Sequence, residues 1–141
     1  MAHKYRGERT LMRIFIGEGD RAEAGPYKGK PLYMALLLLL RDRGFSGATV
    51  LRGISGFGAS AKLHTDRVLR LAVDLPVVVE VVAREEKVQE VIPELDELIG
   101  SGLVTLEKVR VLLYQSANGA ETERSKDRTE GLEANGEGGV G

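Results

Sequence analysis

The sequence predicts an α+β domain, a ferredoxin-like βαββαβ sandwich in which a four-stranded antiparallel sheet carries two helices on one face. Three observations lead there. Short runs alternate apolar and polar residues or are rich in β-branched residues, two longer stretches hold apolar residues at helical spacing, and their order is strand, helix, strand, strand, helix, strand.

Residues 1–9, MAHKYRGER, are polar and aperiodic and read as a flexible N-terminal arm. From Thr10 to Gly17, Met12, Ile14 and Ile16 alternate with Leu11, Arg13 and Phe15, the period of a strand, and Gly17 stops it. Glu18 to Gly29 is a loop rich in glycine and charge. Pro31 suits a first helical turn, where its missing N–H is not needed, so a helix is expected from Pro31 to Arg43 with Gly44 closing it. Ala48–Ile54 and Leu75–Ala83 are apolar and β-branched, giving strands two and three. Glu85–Ile99 places Val88, Val91, Ile92, Leu95, Leu98 and Ile99 at helical spacing, with Gly100 where a C-cap belongs. Pro93 falls inside this helix and is expected to kink it or split off its first turn. Leu103–Leu113 alternates again as the fourth strand, so the domain is expected to span residues 10–114.

Residues 115–141 read as a disordered acidic tail. Glu121–Gly141 holds six acids and three bases, almost without large apolar side chains, which is too little buried surface to offset the entropy of ordering. Residues 1–120 then carry 17 bases against 15 acids, which gives no basic stripe for nucleic acid. The apolar run Ala35–Leu40 is far short of the roughly 20 residues of a membrane-spanning helix, so direct membrane insertion is not expected and a cytoplasmic location is. The chain has no cysteine and two histidines, His3 and His64, which excludes a disulfide framework and a thiolate nucleophile and leaves no metal set.

Two helices cover one face of a sheet. The other would carry Leu11, Arg13, Phe15, Val78, Glu80 and Val82, with Leu106, Lys108, Arg110 and Leu112 from strand four. One charge per strand amid apolar neighbours is a poor solvated surface, so this face is expected to be an oligomer interface, with Arg13 or Arg110 pairing Glu80. The phase of strand two, and with it the direction of Arg52, stays open.

The most informative stretch is Gly53–His64, GISGFGASAKLH. Gly56 and Gly58 flank Phe57 and allow a ligand or another backbone to come close. Lys62, His64, Arg67 and Arg70 follow, the last two on one face of a short helix if Thr65 caps it. A glycine loop supplies backbone donors and the basic residues supply charge, the combination an anionic nucleotide or phosphorylated metabolite requires; a solvated helix face is the alternative. Gly29 and Lys30 pose the same choice at the start of the first helix, between anion binding and ordinary capping. Gly56, Gly58 and Ala61 fit a dinucleotide pattern, but the long helix and acid-tipped strand that should follow are missing. An enzyme using His64 with Asp66 or Glu80 as acid and base is a further alternative, though no nucleophile or metal signature accompanies it.

The motifs RIFIGEGDR (13–21), GKPLY (29–33), GATVLRGISGFGA (47–59), LHT (63–65), LRL (69–71) and DLPVVVEVV (74–82) resemble the DUF190 family, a domain of unknown function, over about residues 10–113. That family is similar to PII signalling proteins. The resemblance implies a homotrimer of ferredoxin-like subunits with open sheet faces turned inward, adenine nucleotide or another anionic metabolite in clefts between subunits, no tightly bound cofactor, and a loop after strand two that touches a membrane transporter or regulatory protein. It gives Gly56, Phe57 and Gly58 a role in holding the ligand. The lysine that PII proteins place after a G-x-G has no counterpart after Gly100 and Gly102, so Arg52, Lys62, His64, Arg67 and Arg70 would supply the charge. The expected function is that of a non-enzymatic, PII-like regulatory trimer sensing a small anionic ligand; a structural trimer without ligand is the alternative.

Overall fold

The computed structural model describes residues 3–58, 64–65 and 74–117. The elements are β1 (His3–Gly17), α1 (Leu32–Asp42), β2 (Thr49–Arg52), β3 (Ser55–Gly56), β4 (His64–Thr65), β5 (Pro76–Ala83), α2 (Glu85–Leu98) and β6 (Leu103–Ser116). The main sheet runs β2-β5-β1-β6 and every neighbouring pair is antiparallel, so the strands read as one to four stand in the order two, three, one, four. This is the ferredoxin-like arrangement the pattern predicts, with a small β3–β4 pair added beyond β2.

Alternation decides which residues make the core. Met12, Ile14 and Ile16 on β1 and Val77, Val79, Val81 and Ala83 on β5 are buried on the helix side. They meet Leu32, Ala35, Leu36, Leu39 and Leu40 of α1 and Val88, Val91, Leu95 and Leu98 of α2. Helix α1 starts one residue after Pro31, which stands as its extended N-cap, and ends one residue before Arg43. Its end is a Schellman turn. Gly44 has φ +82°, its N–H reaches the Arg41 carbonyl, and the N–H of buried Phe45 reaches the Leu40 carbonyl at 3.1 Å.

Four expectations are corrected. Strand β1 begins at His3, and the stretch read as an arm pairs with β6 from Ser116 inward, because backbone pairing needs no apolar side chain. Helix α2 runs through Pro93 without splitting; the ring sits on the exposed side, where water can serve the carbonyl it deprives of a partner. Gly100 makes no left-handed cap, since α2 ends in an extended Ile99; instead Gly100 lies under Glu23, whose carboxylate an added Cβ would strike. The phase of β6 is shifted by one. Leu11, Arg13 and Phe15 stand opposite Glu107, Thr105 and Leu103, so those residues, and not Leu106, Lys108 and Arg110, share the uncovered face.

The same registers settle β2. Thr49 and Leu51 share the uncovered face with Glu80 and Val78, while Arg52 pairs with Val77 on the helix side. One row across all four strands, Leu51, Val78, Phe15 and Leu103, is wholly apolar, and its outer members are 49% and 57% exposed. The next row, Thr49, Glu80, Arg13 and Thr105, is polar. Arg13 Nε donates to Glu80 Oε2 at 2.8 Å, the expected pair, and Nη1 donates to Glu107 Oε1 at 2.5 Å. Both glutamates, Glu80 first, hold the guanidinium pKa above its usual value.

Candidate functional site

At the Phe15 end of this face lies a cavity of about 550 Å³, inside the range of small-molecule sites. Four segments far apart in sequence build it. The end of β1 and the turn after it give Phe15, Ile16, Gly17 and Asp20; the end of β3 and the residues after it give Gly56, Phe57 and Gly58; the start of β5 and the residues before it give Asp74 and Pro76; and the turn after α2 with the start of β6 gives Ser101, Gly102 and Leu103.

The turn after β1 is locked by carboxylates. The Gly17 N–H donates to Asp20 Oδ2 and the Gly19 N–H to Asp74 Oδ1, each at 2.9 Å, while the Glu18 N–H reaches the Leu75 carbonyl at 2.8 Å. The Leu32 N–H donates to the Asp20 carbonyl at 2.7 Å, which ties the start of α1 to the same turn. Asp20 thus serves the turn through its side chain and the helix through its backbone.

The glycine stretch divides into two kinds of glycine. A Cβ on Gly53 would stand 2.7 Å from Pro76 Cγ and one on Gly56 3.1 Å from it, and the Gly53 N–H donates to the Pro76 carbonyl at 2.6 Å. These two glycines let the chain fold over the proline ring. Among the described residues, nothing lies within 4 Å of a Cβ added at Gly58, and its φ is not in the left-handed region, so no described contact requires glycine there. Phe57 between them is 72% exposed at the cavity wall.

Of the residues expected to bind ligand, Gly56, Phe57 and Gly58 line the cavity together. Arg52 does not line it and is ion-paired with Glu18. Gly29 and Lys30 belong to the loop before α1, where the Gly29 N–H meets the Ala22 carbonyl and the Ala22 N–H the Lys30 carbonyl, and neither residue lines the cavity. His64 is described through its backbone, paired with Gly56 in the β3–β4 ladder. Lys62, Arg67 and Arg70, and the tail from residue 118, lie outside the described residues.

Sequence reasoning did not single out the other lining residues, Phe15, Ile16, Gly17, Asp20, Asp74, Pro76, Ser101, Gly102 and Leu103. No side chain among the described lining residues is basic, whereas two are carboxylates. Among the described residues no group of three or more acidic, histidine or cysteine side chains forms a metal site, and no helix is long and apolar enough to cross a membrane.

The sequence profile of DUF190, "Uncharacterized ACR", matches residues 9–111. A UPF0166 protein of Aquifex aeolicus is 38% identical over 107 residues, covering 74% of this chain and 94% of the relative. A UPF0166 protein of Methanocaldococcus jannaschii is 36% identical over 97 residues, covering 68% of this chain and 84% of the relative. Among solved structures, CPII of Thiomonas intermedia, a nitrogen regulatory PII-like protein bound to ADP, AMP and bicarbonate, superposes with a TM-score of 0.51 at 18% identity, covering 77% of this chain and 90% of that one. A Thermus thermophilus protein described as PII-like superposes with a TM-score of 0.53 at 14% identity, covering 76% and 92%. At these identities the structural likeness is one of fold.

Proposed function

The chain belongs to the uncharacterised DUF190 family and has a PII-like fold, and from that premise we propose that it is a trimeric regulatory protein. Its cavity takes a small anionic ligand, an adenine nucleotide foremost, and ligand binding changes the surface offered to a protein partner. One observation carries this reading. Phe15 and Leu103 belong both to the apolar row of the uncovered sheet face and to the cavity wall. Whatever covers the face therefore also closes the cavity, and a second copy of the chain that buries the row would complete the site.

The physics of the face supports self-association. Four apolar side chains in one row lose water on burial, at roughly 25 cal/mol for each Å². The Arg13–Glu80–Glu107 cluster beside them already pairs the central charge, so burying it does not strand an isolated ion. Regulation would then follow from population shift: a ligand that binds the assembled form with the β2–β3 turn in one arrangement favours that arrangement for the partner. The structural alternative, in which the turn only packs, draws support from Gly53 and Gly56, whose contact with Pro76 explains them without a ligand. Gly58 and Phe57 have no such explanation.

The test is a thermal melt of the full chain over a concentration series of ADP, AMP, ATP and bicarbonate. A midpoint rising with the logarithm of nucleotide concentration supports sensing. A flat response to the whole panel, in a sample shown to be trimeric, refutes it in favour of the structural alternative.

A further inference from the structure

We infer that the ring of Phe57 is a stacking platform for the flat heterocycle of the ligand, the nucleobase of a nucleotide. This rests on reading the cavity as a nucleotide site. The inference starts from an aromatic ring left in water. Phe57 is 72% exposed and stands at the cavity wall. Exposure alone does not single it out, because Ile54, three residues earlier, is 83% exposed. Ile54 does not line the cavity, whereas Phe57 does.

The backbone that carries the ring is anchored. Ser55 pairs with Thr65 and Gly56 with His64 in the β3–β4 ladder. Gly56 lies against Pro76, and the Gly53 N–H donates to the Pro76 carbonyl, so the residues leading to Phe57 are tied to β5. Only two side-chain torsions then remain to be fixed when a ligand covers the ring, and a group placed in advance loses little freedom on binding. The rest of the lining decides the shape of the occupant. Phe15, Pro76 and Leu103 add apolar surface, and Asp20, Asp74 and Ser101 add polar groups, in the same cavity. A purely aliphatic ligand would leave those polar groups facing it, and a ligand that is polar on every side would leave the rings facing it. A nucleobase is apolar on its faces and polar at its edge, and its π-face stacks on an aromatic ring.

The experiment uses the full chain as wild type, Phe57→Ala, Phe57→Trp and Ile54→Ala. Melting curves check folding, and light scattering gives the mass of each. In calorimetric titration with ADP, Phe57→Ala should bind at least about tenfold more weakly than the wild type, the worth of one base on an aromatic ring, and Ile54→Ala should bind like the wild type. The chain has no tryptophan, so Phe57→Trp puts its one indole at the platform; ADP should quench the indole emission to saturation, and ribose 5-phosphate, which has no base, should not. This variant alone suffices where Phe57→Ala does not fold. Wild-type affinity in Phe57→Ala, an indole unquenched while the titration shows ADP bound, quenching by ribose 5-phosphate equal to that by ADP, or an equal loss in Ile54→Ala would each overturn the platform while leaving the nucleotide site standing. A lower mass for Phe57→Ala than for the wild type would make the ring a contact between copies and overturn it too. No binding of ADP by the wild type would overturn the nucleotide reading itself, and this inference with it.

Discussion

Adding a side chain at Gly53 and at Gly58 should separate the two kinds of glycine in the stretch after β2. In Gly53→Ala the new methyl would lie 2.7 Å from Pro76 Cγ and 3.3 Å from the Pro76 carbonyl oxygen. Neither atom can swing away, because Pro76 pairs with Gly17 in the sheet and its carbonyl accepts the Gly53 N–H. Overpacking of this kind costs about 1–3 kcal/mol, partly offset by about 0.4–1 kcal/mol from the stiffer unfolded chain. The net loss is about 1–2 kcal/mol, which lowers Tm by roughly 5–10 °C for a domain of this size. Among the described residues the Cβ of Gly58→Val meets no atom within 4 Å, so the variant should melt at or slightly above the wild-type temperature. It places a branched side chain at the cavity wall and should abolish the shift of Tm with ADP. The assay is circular-dichroism melting of both variants with and without ADP. The reasoning is refuted if Gly53→Ala melts like the wild type, or if Gly58→Val keeps the full ADP shift.

Two further outcomes follow from the ion pairs. Arg13→Gln removes the cation that stands between Glu80 and Glu107 on the uncovered face; the assembly should dissociate at higher protein concentration than the wild type, as sedimentation over a dilution series would show, and an unchanged dissociation curve would contradict the pairing. Tyr27 donates to Asp42 at 2.6 Å, which raises the phenol pKa and, chiefly through that bond, lowers the Asp42 carboxyl pKa. The carboxylate's contribution is present above the unfolded pKa of about 4 and is lost as pH falls through the lower folded value; the phenol's is present below about 10 and is lost as pH rises through the higher folded value. The Tm difference between wild type and Tyr27→Phe should therefore be largest between those limits and shrink at both ends, and a difference constant from pH 3 to 11 would contradict the pairing.

The fold was legible because its buried strands alternate cleanly. Met12, Ile14 and Ile16, and Val77, Val79 and Val81, each occupy one face, and Gly44 marks the end of α1 by the one backbone shape an L side chain resists. The phase of β6 was not legible. Leu103, Val109 and Val111 fall on one parity and Val104, Leu106 and Leu112 on the other, so an edge strand with apolar residues on both sides fits either register until Arg13 reaches Glu107. The paired stretch from His3 was hidden for a related reason: MAHKYRGER holds no alternation of apolar and polar residues, so its backbone pairing with β6 leaves no side-chain period to read.

The candidate site was legible only where it is local. Gly56, Phe57 and Gly58 lie in one motif, whereas Asp20, Asp74 and Ser101 come together through topology and share no spacing rule. Their faint signal is turn chemistry. An aspartate closes the Gly17–Asp20 turn, another stands two residues before the first residue of β5, and a Ser-Gly pair follows α2, each at the same end of the sheet. Gly56 shows the limit of the motif in the other direction, since a glycine that spares a proline ring reads in sequence like one that spares a ligand.

The claim on which the rest depends is that copies of the chain close around the uncovered sheet face. Light scattering on the size-separated full chain at micromolar concentration measures it directly, with Phe15→Glu, which places a charge in the apolar row, as the comparison. The account predicts three times the chain mass for the wild type and one chain mass for the variant. A wild type that elutes as a single chain would contradict it.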